Sequence, residues 1–250
     1  MNKYLRYLAL LSLLFFSFYL TNNFSLYMRN NDPLYKHIMD VKDDYQEDYC
    51  NAVIEEQYMI PGVNGKELDV ESTYRNMKKN GYFNTLDINY KKIIPTISAE
   101  NHKDKIINRA NPLKKAVAII TEDKYIKEYL ENNKIYYTYL VNIKNYQENL
   151  SYGYKLIKDS SNYEKINSYL KPSLCYSTID YQCKNKYMTL VQESYELANN
   201  NFFLKYYKVK SGDIILINDL NIKYLKILID EIIFYNLEIM PLDKLVSEDY

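Results

Sequence analysis

The carboxyl-terminal stretch constrains the fold most. Ile214-Ile215-Leu216-Ile217 is a continuous apolar run of strand length, Leu220 to Phe234 is apolar enough for a buried helix, and Leu237 to Met240 is a second strand-like run before Pro241 opens a last short helix. A short β-branched run without alternation suits a strand covered on both faces, and a strand–helix–strand succession implies parallel pairing through a right-handed crossover. The same order stands upstream: Ala116 to Ile120, a helical stripe of Tyr125, Ile126, Tyr129 and Leu130, then Ile135 to Val141. An α/β sheet or barrel follows from this pattern. Between the two, Asn145 to Leu170 is polar, Lys186 to Val191 reads as a strand and Glu193 to Leu197 as a helix.

The chain has 250 residues, room for one large domain or a small one beside a larger. Its 32 basic and 32 acidic side chains cancel, so no global field draws in nucleic acid, and a nucleic-acid partner is not expected. The 30 tyrosines beside no tryptophan and five glycines point to codon bias before function.

Lys3 and Arg6 precede an apolar run, Tyr7 to Leu20, closed by Thr21, Asn22 and Asn23. Residues 7–20 read as a membrane-targeting segment. Its roughly 14 residues suit the apolar part of a secretory leader, while interfacial tyrosines and the absence of a small-residue cleavage site suit an uncleaved single-pass anchor. The expected place is the cell membrane with the carboxyl-terminal domain outside, or, with cleavage, secretion. Export permits a disulfide between Cys175 and Cys183 across a polar stretch; the alternative is two small apolar core residues, and Cys50 is unpaired either way.

Pro33 to Tyr49 carries a helical stripe. Ile60-Pro61-Gly62-Val63-Asn64-Gly65-Lys66 holds two turn signals and reads as a tight hairpin or paired turn. Asp69 caps a helix with Val70, Tyr74 and Met77, and Leu86, Ile88 and Tyr90 alternate as a strand. Four segments result: 1–23 as anchor or signal, 24–49 as helical stalk, 50–112 as a small α+β domain and 113–250 as the α/β domain.

Ligands of parallel α/β folds sit at the carboxyl ends of the strands, where Glu122, Asp123, Asn218 and Asp219 stand; helix capping explains such residues equally well. Val117-Ala118-Ile119-Ile120-Thr121-Glu122-Asp123 resembles the first motif of the polysaccharide deacetylases (carbohydrate esterase family four), an apolar strand ending in Thr-Phe-Asp-Asp-Gly. Lys210-Ser211-Gly212-Asp213 with the strand to Asn218-Asp219 resembles their closing Lys-x-Gly-x-Ile-Ile-Leu-x-His, and Glu238 to Leu245 their last strand and end. The unit from Ile60 to Lys79 is similar to a domain preceding the deacetylase region in some anchored members. The resemblance implies an incomplete or distorted (β/α) barrel of polysaccharide-deacetylase type, preceded by a small α+β unit and an amino-terminal membrane helix. Ile119 to Tyr250 leaves only about 130 residues, against roughly 250 for an eight-unit barrel.

In that family an Asp and a His-x-x-x-His pair hold zinc, a neighbouring Asp is the base and a late His the acid. Carried over, Glu122 stands at the base position, Asp123 at the metal position with Lys124 replacing the Gly, and Asn218 at the late His. The only histidines, His37 and His102, form no such pair and read as solvated surface residues. The zinc site looks lost and no cofactor is expected. The resemblance thus implies a degenerate, cell-envelope-associated protein, catalytically inactive and binding a glycan or a surface partner. An active metal-dependent N-deacetylase of cell-surface polysaccharide, and a structural surface spacer, are the alternatives. Tyr136, Tyr137 and Tyr139, or Tyr206 and Tyr207, offer ring faces for sugars or for core packing.

Overall fold

The computed structural model describes residues 3–179, 183 and 188–249. In chain order its strands are β1 (Val53–Glu55), β2 (Tyr58–Ile60), β3 (Gly65–Leu68), β4 (Tyr90–Ile93), β5 (Ile106–Ile107), β6 (Ala116–Thr121) and β7 (Tyr137–Val141). They continue as β8 (Gly153–Ile157), β9 (Leu174–Tyr176), β10 (Thr189–Val191), β11 (Tyr195–Leu197), β12 (Ile214–Ile217) and β13 (Glu238–Ile239). The chain divides into two compact units, one of Met1–Asp48 with Gly65–Ile93, the other of Tyr49–Asn64 with Ile94–Tyr250. Of the stretch 50–112 expected as a small α+β domain, residues 65–93 fall in the first unit and the remainder in the second.

In the first unit, α1 (Lys3–Asn30) is one long helix. No helix among the described residues is long and apolar enough to cross a membrane, so the expected membrane helix finds no support there. The physical reason lies in composition: beyond Leu20 the same helix runs on through Thr21, Asn22 and Asn23, so its apolar stretch ends short of a bilayer's width. Asp32 caps α2 (Pro33–Val41), accepting from the Leu34 amide at 2.8 Å and from the Tyr74 hydroxyl at 2.7 Å. Asp69 caps α3 (Val70–Met77) through the Ser72 amide at 3.2 Å. Ile38, Leu68, Tyr74 and Met77 pack between these helices and the antiparallel pair β3–β4, in which Leu68 faces Tyr90.

The second unit holds two sheets. The order β11-β12-β6-β7-β8 is parallel throughout, with Ile215 beside Ile119 and Leu140 beside Leu156, and β13 joins β6 at its start. Every residue of β6, β7 and β12 is buried, which the unbroken apolar runs dictate. The other sheet runs β1-β2-β5-β10-β9, parallel except for the β1–β2 hairpin. That hairpin turns at Glu56 with φ +54°. The Pro-Gly and Asn-Gly signals expected to make a hairpin instead mark an extended crossing, where Val63 bridges Cys50 and Lys66 bridges Glu47.

One bent run serves both sheets. The Gln192 amide still reaches Ile107 of β5 at 2.9 Å, whereas the Ser194 amide donates to Ile214 of β12 at 2.7 Å. The Ser194 hydroxyl fills the bend, donating to the Asn108 carbonyl at 2.5 Å and accepting from the Ile214 amide at 2.9 Å. The segment Glu193 to Leu197, expected as a helix, is thus mostly β11. The polar stretch 145–170 contains β8 and α5 (Tyr163–Leu170). Residues 186 and 187 of the expected strand lie outside the described residues.

Glu248 fastens the loop around Gly62. One carboxylate oxygen accepts from the Gly62 amide at 3.1 Å and the Ala99 amide at 2.8 Å, while its carbonyl accepts from the Asn64 amide at 2.7 Å. A Cβ on Gly62 would stand 2.5 Å from the Cys50 carbonyl oxygen, so only glycine fits.

Candidate functional site

At the carboxyl end of β6, the buried Thr121 hydroxyl donates to the Ile217 carbonyl of β12 at 2.9 Å and accepts from the Asp123 amide at 3.0 Å. This ties the two strand ends that carry the expected site residues. Asp123 then spends one carboxylate oxygen as the cap of α4 (Lys124–Asn132), accepting from Tyr125 at 2.7 Å and Ile126 at 3.3 Å. Glu122 pairs with Lys158, at the end of β8, at 2.6 Å, and both side chains are about two-fifths exposed. Lys124 turns away from Asp123 towards Glu128, one helical turn on.

Asn218, at the end of β12, donates through its side-chain amide to Glu196 at 3.0 Å, and its carbonyl oxygen is buried with no hydrogen-bond partner among the described residues. Asp219 is exposed and adopts φ +45°, a residue of the strand-to-helix turn. Its neighbour Asn221 caps the helix Ile222–Phe234.

Tyr176 and Glu193 were not foreseen. The Tyr176 hydroxyl, at the end of β9, donates to Glu193 at 2.6 Å. Burial pushes that phenol well above its ordinary value, and the bond to Glu193 and the charges of Glu193, Glu122 and Glu196 push it further. Glu193 thus accepts from a buried hydroxyl on which the charges of Glu122 and Glu196 also bear, and the carboxylates at these strand ends are termed the mouth. No short motif announces it, because its members stand on separate elements: Glu122 after β6, Tyr176 at the end of β9, Glu193 before β11 and Glu196 within it.

Cys175 leads into Tyr176 and is bridged to Cys183, with Cα atoms 6.1 Å apart. Cys50 is a half-buried thiol 3.8 Å from the Asn111 side-chain amide. His37 is exposed and sets its ring edge-on to Phe83. His102 is half-buried, its Nδ1 3.0 Å from the Ser98 carbonyl, and so less solvated than expected. Tyr137 and Tyr139 are core residues, with the Tyr137 hydroxyl on Glu131 at 2.6 Å; Tyr136 is exposed. Tyr206 stacks on Phe202, and the Tyr207 side chain lies outside the described residues.

A catalytic zinc of the kind implied by the resemblance needs three protein ligands with nitrogen or carboxylate donors at one point. The residues present do not fit it. Asp123 faces backbone amides, Glu122 holds a lysine, Asn218 offers an amide, and no group of three such side chains is gathered among the described residues.

No family model matches the chain. Over 101 residues it is 33% identical to the uncharacterised protein YlxY of Bacillus subtilis, a match covering 40% of this chain and 32% of that one. The chain thus spans about a third of the length of that curated relative. Among solved structures it resembles BA3943, a CE4 family pseudoenzyme from Bacillus anthracis, with TM-score 0.57 and 17% identity over 88% of this chain and 96% of the other. The fold is that of carbohydrate esterase family 4. A BA3943 mutant with restored enzymatic activity shares the CE4 fold equally, with TM-score 0.56 and 18% identity over 86% of this chain and 98% of that one.

Proposed function

We propose that the chain is a degenerate, deacetylase-like protein of the cell envelope that binds glycan at the strand-end mouth without hydrolysing it. The observation that carries this reading is the use made of Asp123. At the position where the resemblance implies a metal ligand, its carboxylate caps α4. The group expected to supply a leaving-group proton is Asn218, whose amide does not titrate near neutral pH. What the mouth offers is acceptors: the carboxylates of Glu122, Glu193 and Glu196. Such a set suits the hydroxyl and amino donors of a neutral or amino sugar.

Residues 7–20 serve in this reading as an export signal, and the Cys175–Cys183 bridge fits an oxidising exterior. The likeness to a CE4 family pseudoenzyme supports loss of hydrolysis. The test is acetate release from N-acetylglucosamine oligomers and from intact peptidoglycan, with zinc supplied, alongside oligomer binding by calorimetry. No turnover is expected from the native chain or from Asn218→His, and Glu193→Gln with Glu196→Gln should weaken oligomer binding about tenfold. Acetate release that disappears in Asp123→Ala would overturn the reading.

A further inference from the structure

β8 is the last strand of one sheet of the second unit and β9 the last of the other, and the two lie side by side without a shared ladder. At their amino ends, the end opposite the mouth, a cleft of about 460 Å³ opens between the approach to β8, Asn149 to Gly153, and the link Leu170 to Ser173 that leads into β9. We propose that this seam binds a small oxyanion, a phosphate ester or a carboxylate, carried on a compact body such as a polyol or a single sugar.

Three observations meet there. The first is charge: Lys155 and Lys171 line the cleft and no carboxylate does. Lys171 is exposed, and its ammonium makes no hydrogen bond or ion pair among the described residues. Lys155 gives one bond, to the Tyr146 carbonyl at 2.9 Å, which leaves its charge uncancelled and two of its three N–H groups unspent. Glu148, the carboxylate whose charge reaches Lys155, is taken by Lys127 at 2.5 Å. Asp243 bears on the Tyr154 hydroxyl but does not line the cleft. Burial pulls the Lys155 ammonium below its ordinary value, with Glu148 opposing and Lys127 assisting, so an anion beside it restores what burial takes away.

The second is a pair of open amides. Along a parallel strand, successive residues turn their backbone groups to opposite neighbours. The Tyr137 amide donates to the Tyr152 carbonyl at 3.1 Å and the Lys158 amide to the Val141 carbonyl at 2.9 Å, so the even-numbered residues of β8 serve β7. The Gly153 and Lys155 amides therefore face the seam, where no ladder with β9 receives them. Backbone N–H groups beside an ammonium are donors that an oxyanion accepts from.

The third is a fixed frame. A Cβ on Gly153 would stand 2.8 Å from Leu150 Cδ1 and 2.9 Å from the Tyr137 ring, so Leu150 closes over the start of β8 only because that residue is glycine. Across the cleft, the Tyr154 and Ser173 hydroxyls stand 3.4 Å apart and tie β8 to the link before β9. Leu150, Leu170 and Pro172 give the cleft an apolar flank, and the volume suits a small molecule. None of these residues belongs to the mouth, so the site stands or falls apart from the glycan reading.

The test is calorimetric titration of the full chain at low salt with inorganic phosphate, glycerol 3-phosphate, glucuronate and glycerol. Saturable binding of at least one of the three anions, and none of glycerol, is expected; the order of glycerol 3-phosphate and glucuronate tells a phosphate source from a carboxylate one. Lys171→Gln and Lys155→Gln should each weaken binding about threefold or more. Lys223→Gln, which removes the same charge from an exposed position of the helix Ile222–Phe234, should leave it unchanged. Lys171 is exposed, so its variant holds the test open if Lys155→Gln does not fold. Absence of anion binding, binding that neither cleft variant alters, or equal weakening by Lys223→Gln would overturn the proposal.

Discussion

Asp123 shows how a single carboxylate changes occupation without leaving its place. Its oxygen lies 2.7 Å from the Tyr125 amide, an ordinary helix cap whose loss costs about 1 kcal/mol. Asp123→Ala should therefore lower the unfolding free energy from urea titration by about that amount, while Asp123→Asn, which still accepts from the same amides, should change it by about a few tenths of a kcal/mol at most. A drop for Asp123→Asn as large as for Asp123→Ala would mean that the charge matters beyond the cap. Glu122, paired with Lys158 in water-exposed surroundings, contributes far less to stability.

At the scale of elements, Asp32 joins the start of α2 to α3 through the Tyr74 hydroxyl. That bond, opposed by partial burial and aided by the Leu34 and Tyr35 amides and by Lys78, holds its carboxyl below the ordinary value of 3.8. A lowered folded value means stability that is whole above 3.8 and lost as the pH falls through the folded value. Acid titration followed by near-ultraviolet dichroism should show a steeper loss below that point for the native chain than for Asp32→Asn. Equal slopes would show that other groups govern the acid limb. The same scale explains what could be read in advance. The apolar run Ile214 to Ile217 coincides with β12, all of it buried, and the stripe from Tyr125 falls inside α4, where Ile126 and Leu130 are buried and Tyr125 is exposed. β8 escaped, since of Gly153-Tyr154-Lys155-Leu156-Ile157 only the last two are buried. The Glu122, Asp123 and Asn218 positions were legible from strand ends and motif likeness. Tyr176, Glu193 and Glu196 were not, because the mouth is a tertiary meeting of β9, β10 and β11.

For the molecule as a whole, the grip of Glu248 on Gly62 and Ala99 is the longest-range polar link described, with Glu248 and Gly62 186 positions apart. Glu248→Ala would strand two buried amides and should cost about 1–3 kcal/mol in denaturant titration; a change within 0.5 kcal/mol would show that water or the backbone replaces the carboxylate. The grip also sets a calendar. Chain leaves the ribosome in order, so the crossing at Gly62 is made before nearly all of the two sheets and long before its carboxylate. Contacts this distant in sequence form late, after their closure entropy has been met by nearer ones. The Gly62 and Ala99 amides should accordingly be among the last to gain protection in pulse-labelled refolding, and the Pro61–Asn64 segment should stay open to proteases longest in a nascent chain.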